Sequence, residues 1–248
     1  MGIDVIGAIA MTVVALVIQE PLPGLTMAAL AALAGVLAVA GILGLYTGLA
    51  VGRMGVVAPV TGLIAAALPV SAGFVSDGWP APPVLVGIAL ALVAVALVSR
   101  TSDPAGRPSG IQYALIGGVG LGLFNIVVGL FPEQTIAWPL AIIKLGALLP
   151  IISIVVVGSR PWRVPRPIVP AMILVAFLDL GGNAFYILAT QVGRLDIAAT
   201  LSSLYPVTTV VLAVTLLRER VTPSHVVGIV AAGVAIVLIA GGSAAPAT

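Results

Sequence analysis

The sequence predicts an all-α fold, a polytopic bundle of transmembrane helices. Of the 248 residues, 61% are hydrophobic and 7% are charged, whereas about a quarter of the residues of a soluble domain are charged. The mean hydropathy is +1.29. The apolar residues form nine long runs without the alternation of a β-barrel. Because backbone groups in lipid must be satisfied within their own segment, each run is predicted to be a helix.

Four apolar segments occupy the first hundred residues. The first has Asp4 as its only nearby charge and lacks a basic leader, so a retained membrane helix is predicted rather than a cleaved signal. It ends at Glu20 and a proline-rich turn. Gly52-Arg53 and a polar stretch beginning at Asp77 separate the next three. The predicted segments are 5–18, 25–51, 56–75 and 84–99.

Five further segments follow a polar connection. About 20 apolar residues span a hydrocarbon layer of about 30 Å at about 1.5 Å per residue, and these segments approach or reach that length. Short connections that hold most of the charges separate them, including the arginines between 160 and 166 and the Arg218-Glu219-Arg220 turn. The predicted segments are 111–131, 136–157, 168–191, 197–217 and 226–240.

Composition excludes several classes of site. The chain has no cysteine, so disulfides, thiolate metal sites and cysteine nucleophiles are excluded. His225 is the single histidine, which leaves no histidine-based metal cluster, and we expect no metal and no cofactor. The net charge of +2 is scattered between apolar runs, so no nucleic-acid partner is expected. A serine hydrolase is disfavoured because His225 enters from the membrane face opposite to Ser202, and no enzymatic activity is predicted.

The chain repeats itself at an interval of 141 residues. This shift superposes Gly52-Arg53 on Gly193-Arg194 and Pro82 on Pro223, and 14 of the 47 positions from 52 to 98 are identical. The predicted domains are a first repeat over 1–100, a linker over 101–110, a second repeat over 111–241 and a disordered tail over 242–248. The partner of segment 111–131 would precede residue 1, so the first repeat is predicted to lack one helix. A five-helix unit forces its two copies into opposite orientations, as in secondary transporters.

The stretch from Asp179 to Ala240 resembles the EamA-type half of the drug/metabolite transporter superfamily. The resemblance rests on a small-residue helix with an aromatic run, a Gly-Arg turn, a helix interrupted at Tyr205-Pro206-Val207, a turn containing Glu219 and a final helix containing Gly228. The first repeat has Gly78 where the turn glutamate would fall. The resemblance implies a plan of five plus five helices, of which this chain carries four plus five. It also implies a secondary transporter that exports a small organic metabolite or drug-like solute.

Polar residues of the second repeat form one predicted layer. Counting at about 1.5 Å per residue from one membrane face, Lys144 lies about 12 Å deep, Asp179 about 18 Å and Asn183 about 12 Å. Charges inside membrane helices are costly, so these positions are the first candidates for function. The predicted substrate-binding residues are Asn125, Lys144, Asp179, Asn183, Tyr186, Ser202 and Tyr205, with Pro206 as a helix break.

Two interpretations of this layer stay open. In the functional one, Asp179 and Lys144 form an ion-sensitive pair facing a central cavity; in the other, the pair is a structural bridge between two helices. Pro206 either kinks its helix near the cavity or only shapes packing. The expected partners are a small-molecule solute and the lipid bilayer, with protons as a candidate coupling ion and a monomer or homodimer as the assembly. The alternative function is a non-transporting membrane scaffold or partner subunit derived from such a transporter.

The location predicted is a bacterial inner membrane, and two arguments on orientation conflict. Eight basic residues lie in one set of alternate connections and Arg194 alone in the other. The positive-inside rule places the richer set in the cytoplasm and the C-terminus outside, whereas the family resemblance implies a cytoplasmic C-terminus.

Overall fold

The computed structural model describes residues 1–98, 108–132, 135–158, 165–204, 207–208, 211 and 223–243. Within these ranges the chain contains no strand, and a short 3-10 helix spans Arg166–Ile168. The described residues contain nine α-helices: α1 Gly2–Val17, α2 Leu25–Val51, α3 Met54–Ser76, α4 Pro82–Val98, α5 Ile111–Val128, α6 Ala137–Val157, α7 Val169–Val192, α8 Leu195–Ser202 and α9 Pro223–Ser243.

Most of these helices have the length and composition of membrane spans. Six described spans are long and apolar enough to cross a membrane, and α1 and α4 are shorter apolar helices. The predicted class, an all-α polytopic membrane bundle, is confirmed. The described part of α8 ends at Ser202, and most of the remainder of predicted segment 197–217 lies outside the described residues.

Helix ends differ from the predicted ends where local hydrogen bonding changes. α5 stops at Val128, although residues to 131 were expected in the segment. The amides of Leu130 and Phe131 donate to carbonyls three residues back, and Pro132 has no amide proton with which to continue the helix. α1 closes with Gln19 at a φ of +54°, and the Glu20 amide donates to the Ala15 carbonyl at 2.9 Å. This C-terminal cap sends the chain sharply away from the helix axis.

The chain forms two compact units, and the first comprises Met1–Ala40 and Leu123–Val192. In this unit α1 packs on α6 and also contacts α7. The α2–α6 crossing is close because Gly35 and Gly146 lie there: a Cβ on Gly35 would lie 2.6 Å from the Ala147 amide nitrogen. Small residues allow membrane helices to approach in this way.

The second unit comprises Gly41–Gly122 and the chain from Gly193 onward. α4 packs along α9, and α3 packs on α8. Its buried core includes Ala91, Ala94 and Val95 of α4 and Ala232 and Ala235 of α9. The Thr61 hydroxyl of α3, itself buried, donates to the Ala114 carbonyl of α5 at 3.2 Å, so this polar group is satisfied inside the unit.

Helix boundaries repeat at the interval found in the sequence. α3 begins at Met54 and α8 at Leu195, while α4 begins at Pro82 and α9 at Pro223. The spans Leu25–Val51 and Arg166–Val192 also correspond at both ends. Within the two units α4 packs on α9, α3 on α8 and α1 on α6, so three helices each contact their sequence partner. These observations support a duplication, and the domain boundaries stay a prediction.

Candidate functional site

The first unit contains an ion pair between two membrane-spanning helices. Lys144, the single lysine of the chain, lies near the middle of α6 and is 8% exposed. Its Nζ bonds to Oδ2 of Asp179 on α7. The Lys144 side chain is 10% exposed and that of Asp179 is 38% exposed. Because an isolated charge in a membrane helix is costly, the pairing of opposite charges offsets part of the cost of placing each residue there.

Asn183 completes the coordination of the Asp179 carboxylate. It lies one helical turn later on α7, and its Nδ2 donates to the Asp179 carbonyl at 2.8 Å and to Oδ1 at 3.2 Å. One carboxylate oxygen therefore accepts from the lysine and the other from the amide. This division of acceptors restricts the rotation of the Asp179 side chain, as hydrogen-bonded networks do in low-dielectric surroundings.

Tyr186 and Asn125 form a separate contact. The buried Tyr186 hydroxyl on α7 donates to the main-chain carbonyl of Asn125 on α5 at 3.3 Å. Asn125 is a predicted hydrogen-bonding residue through its side-chain amide, but this contact uses its backbone carbonyl. Five of the predicted residues therefore fall into two groups in the first unit, Lys144–Asp179–Asn183 and Tyr186–Asn125.

The other predicted positions are not part of these groups as described. Ser202 is exposed at the end of α8 and belongs to the second unit. Tyr205 and Pro206 lie outside the described residues, so the helix break predicted at Pro206 stays a prediction.

Glu20, predicted only as a charge in a connection, makes a structural contact with α6. Its carboxylate caps the start of α6 through three backbone amides: Ile136 at 3.1 Å, Ala137 at 2.9 Å and Trp138 at 3.2 Å. Trp138 Nε1 donates in return to the Glu20 carbonyl at 2.9 Å. A negative charge at a helix N-terminus satisfies orphan amides and complements the helix dipole. No local signal could reveal this contact, because the partners are more than 100 residues apart.

Arg194 organises a second cluster that the sequence did not reveal. Its Nε and Nη2 bond to Asp196 at 3.1 and 3.0 Å, and the Asp196 side chain is fully buried. Nη1 also donates to the Asp77 carbonyl at 2.8 Å, and Nη2 donates to the Gly78 carbonyl. The Leu195 amide donates to Asp77 Oδ2 at 3.1 Å. Together they tie the end of α3 to the start of α8, and the acidic residue in the first turn of α8 was the available sequence signal.

The chemistry available in this site is recognition by charge and hydrogen bonding. Lys144 offers an ammonium, Asp179 a carboxylate and Asn183 an amide, all carried by helices that span the membrane. In the described part of the chain, no group of three or more His, Cys, Asp or Glu side chains could hold a metal ion.

Comparison with known protein families shows to which family the chain belongs. The model of the EamA-like transporter family matches residues 108–241. The chain belongs to the EamA-like transporter family. The EamA match covers α5, α6, α7 and the ion pair, and it confirms the resemblance derived from the sequence. This EamA protein is therefore a multi-pass membrane protein of a transporter family.

A solved crystal structure has the same fold as this EamA protein. The two superpose with a TM-score of 0.66 over 98% of this chain and 84% of the other, at 16% sequence identity. At that identity the likeness concerns the fold alone. No curated protein matches the sequence.

Proposed function

We propose that this EamA protein is a secondary transporter of a small organic metabolite or drug-like solute in a bacterial inner membrane. Transport proceeds by alternating access between two inverted repeats, and the physiological direction is export, by analogy with the family. The proposed partners are the solute and the bilayer, with protons as the coupling ion. We propose no catalytic activity.

The ion pair between Lys144 and Asp179 is the observation that carries this proposal. Intramembrane charges are rare and mark substrate or ion pathways. The pair is unequal, because the lysine side chain is 10% exposed and the aspartate side chain 38% exposed. The carboxylate is the more exposed of the two groups, and it is proposed to receive the solute or the proton while the lysine supplies the compensating charge.

Flux measurements in proteoliposomes test this role. We expect wild-type protein to move at least one member of a panel of amino acids, nucleosides, sugars and fluorescent organic cations. Asp179→Asn and Lys144→Ala should abolish that flux while the protein still inserts and stays monodisperse. Ser153→Ala is the matched control: Ser153 lies on α6 like Lys144, is exposed, and donates only to the Leu149 carbonyl at 2.9 Å.

The double variant Lys144→Asp with Asp179→Lys separates transport from a structural bridge. It preserves opposite charges between α6 and α7 but exchanges their positions. A structural bridge predicts normal stability and normal flux, whereas a transport site predicts normal stability without flux. Unchanged flux in Asp179→Asn would remove the pair from the mechanism, and a folded wild-type protein without flux for any solute would favour the non-transporting scaffold.

Proton coupling has its own measurement. Flux against a solute gradient should require an imposed pH difference across the proteoliposome membrane, and a protonophore should abolish it. Flux that continues unchanged after the pH difference is collapsed would exclude protons as the coupling ion.

A further inference from the structure

α1 contacts the stem of Lys144 at a glycine. Gly7 is buried, and a Cβ at this position would lie 3.2 Å from Lys144 Cγ and 3.4 Å from Lys144 Cδ. The same Cβ would lie 3.4 Å from Leu180 Cδ2, and Leu180 directly follows Asp179. The aliphatic part of the lysine and a leucine of the helix that carries its ionic partner therefore both lie against the bare backbone of α1.

This contact limits where the ammonium can go. A lysine has a flexible four-carbon stem and loses rotamer freedom when it is fixed. The backbone of Gly7 lies against Cγ and Cδ of that stem, so fewer directions remain for Nζ. A methyl group at position 7 would displace the Lys144 stem by a few tenths of an ångström, and the ammonium at the end of the stem would move as well.

A second contact fixes α1 along α6. At the C-terminal end of α1, the Glu20 carboxylate accepts from the first amides of α6, and the Trp138 indole donates to the Glu20 carbonyl. Trp138 precedes Lys144 by six residues, about 9 Å along the helix. Gly7 and Glu20 thus engage α6 at two separate heights, which sets the position of α1 relative to Lys144.

We propose that α1 is the element that positions Lys144, with Gly7 as the positioning residue. α1 lies outside the residues matched by the family model, 108–241, so the family match does not itself give this assignment. The expected effect of Gly7 on transport rests on the proposed function of the ion pair, but the positioning of Lys144 by α1 does not. The volume at position 7 controls the geometry of the Lys144–Asp179 contact.

The single lysine of the chain makes the test specific. Protein labelled with ¹⁵N at lysine Nζ and reconstituted in lipid nanodiscs gives one side-chain signal in solid-state NMR, because Lys144 is the only lysine. Asp179→Asn should shift that signal and so provides the reference for a broken pair. Gly7→Ala should shift the lysine signal in the same direction by a smaller amount than Asp179→Asn does. Gly7→Val should shift it by a larger amount than Gly7→Ala does.

Gly62→Ala is the matched control. A Cβ on Gly62 of α3 would lie 3.2 Å from Val95 Cγ1, the same approach to a side chain but without an ionisable group. Its lysine signal should equal that of the wild type. Leu180→Val removes the leucine Cδ2 that lies beside position 7, so adding it to Gly7→Ala should return the signal toward the wild-type position.

The transport readout distinguishes the two proposals. If the ion pair binds solute, Gly7→Ala should raise KM several-fold with a smaller change in Vmax per folded molecule. A purely structural defect instead lowers the folded fraction, and with it the total Vmax, and leaves KM unchanged. A shifted lysine signal with unchanged flux supports the positioning and contradicts the proposed function. A wild-type lysine signal in folded Gly7→Ala or Gly7→Val overturns the positioning. If Gly7→Val does not fold, the lysine signal of Gly7→Ala alone tests the positioning.

Discussion

Gly87 on α4 and Gly228 on α9 make equivalent contacts across one helix crossing. A Cβ on Gly87 would lie 3.0 Å from the Ala235 carbonyl oxygen, and a Cβ on Gly228 would lie 3.2 Å from the Ala94 carbonyl oxygen. Gly87 and Gly228 are 141 residues apart, and so are Ala94 and Ala235. Each side of the crossing therefore repeats the other, as in an isologous interface between two identical subunits.

Gly87→Ala should loosen this crossing. The added methyl group would also lie 2.8 Å from Ile239 Cγ1, and overpacking of this kind costs about 1–3 kcal/mol. The free energy of unfolding in mixed detergent should fall by that amount. Gly233→Ala on α9 is the control, because its Cβ would contact nothing within 4 Å. It should leave stability unchanged or raise it by up to about 1 kcal/mol, and equal losses in both variants would contradict the prediction.

Removing either member of the ion pair should have unequal effects on stability. Asp179→Asn leaves the lysine, whose side chain is 10% exposed, without a counter-charge and should cost about 3 kcal/mol. Lys144→Met leaves the 38% exposed carboxylate and should cost less than Asp179→Asn, because that group is less buried than the lysine. The double variant Lys144→Met with Asp179→Asn should recover most of the stability that Asp179→Asn loses. Unfolding titrations of the three variants measure these differences, and equal losses for the single variants would refute the asymmetry.

Arg194 should be a larger determinant of stability than its sequence partner. Arg194→Ala leaves the fully buried Asp196 carboxylate without its cation, which should cost about 3–5 kcal/mol. Arg194→Lys retains the positive charge but cannot donate hydrogen bonds to the carboxylate and both carbonyls at once. About half of that loss in stability is therefore expected. Arg53, the equivalent position in the first repeat, is exposed, and Arg53→Ala should change stability by less than about 0.5 kcal/mol.

Tryptophan fluorescence can follow these Arg194 variants. Trp79 stacks on Phe74 with ring centroids 5.1 Å apart, close in the chain to the Asp77 and Gly78 carbonyls that Arg194 binds. An Arg194→Ala protein with the wild-type unfolding midpoint would show that the cluster does not contribute to stability.

Glu20→Gln should weaken the start of α6. An amide is a poorer acceptor than a carboxylate and places an N–H group against one of the helix amides, so a loss of about 1–3 kcal/mol is expected. Hydrogen exchange at Ala137 and Trp138 should accelerate, with little change near the end of α6. Thr135→Val is the control, because the Thr135 hydroxyl donates only to the Pro132 carbonyl at 2.8 Å. Equal acceleration in both variants would contradict a capping role.

The helices were largely predictable because the membrane imposes one simple requirement. Long apolar runs must be helical in lipid, and their ends follow charged and proline-rich connections, so segment 25–51 matches α2 at both ends. The end of α5 could not be predicted from hydropathy, because Leu130 and Phe131 are apolar but make turn hydrogen bonds.

The site was predictable in part. Helix depth brought Lys144 and Asp179 within reach of each other, and a spacing of four residues brought Asn183 to Asp179. Depth does not say which atom makes a contact, so the use of the Asn125 carbonyl by Tyr186 was not foreseen. Gly7 was not foreseen either, because a glycine that admits a lysine stem has no sequence pattern of its own.

The contact between Glu20 and the start of α6 constrains biogenesis. The Ile136 amide is 116 residues later in the chain than Glu20. At about 5–20 residues per second, α1 is synthesised roughly 6–23 s before its partner amides exist. During that interval the Glu20 carboxylate must remain hydrated at the bilayer surface or be held by the insertion machinery. α1 therefore enters the membrane before its packing partner exists, and it can reach its final position only after α6 has been inserted.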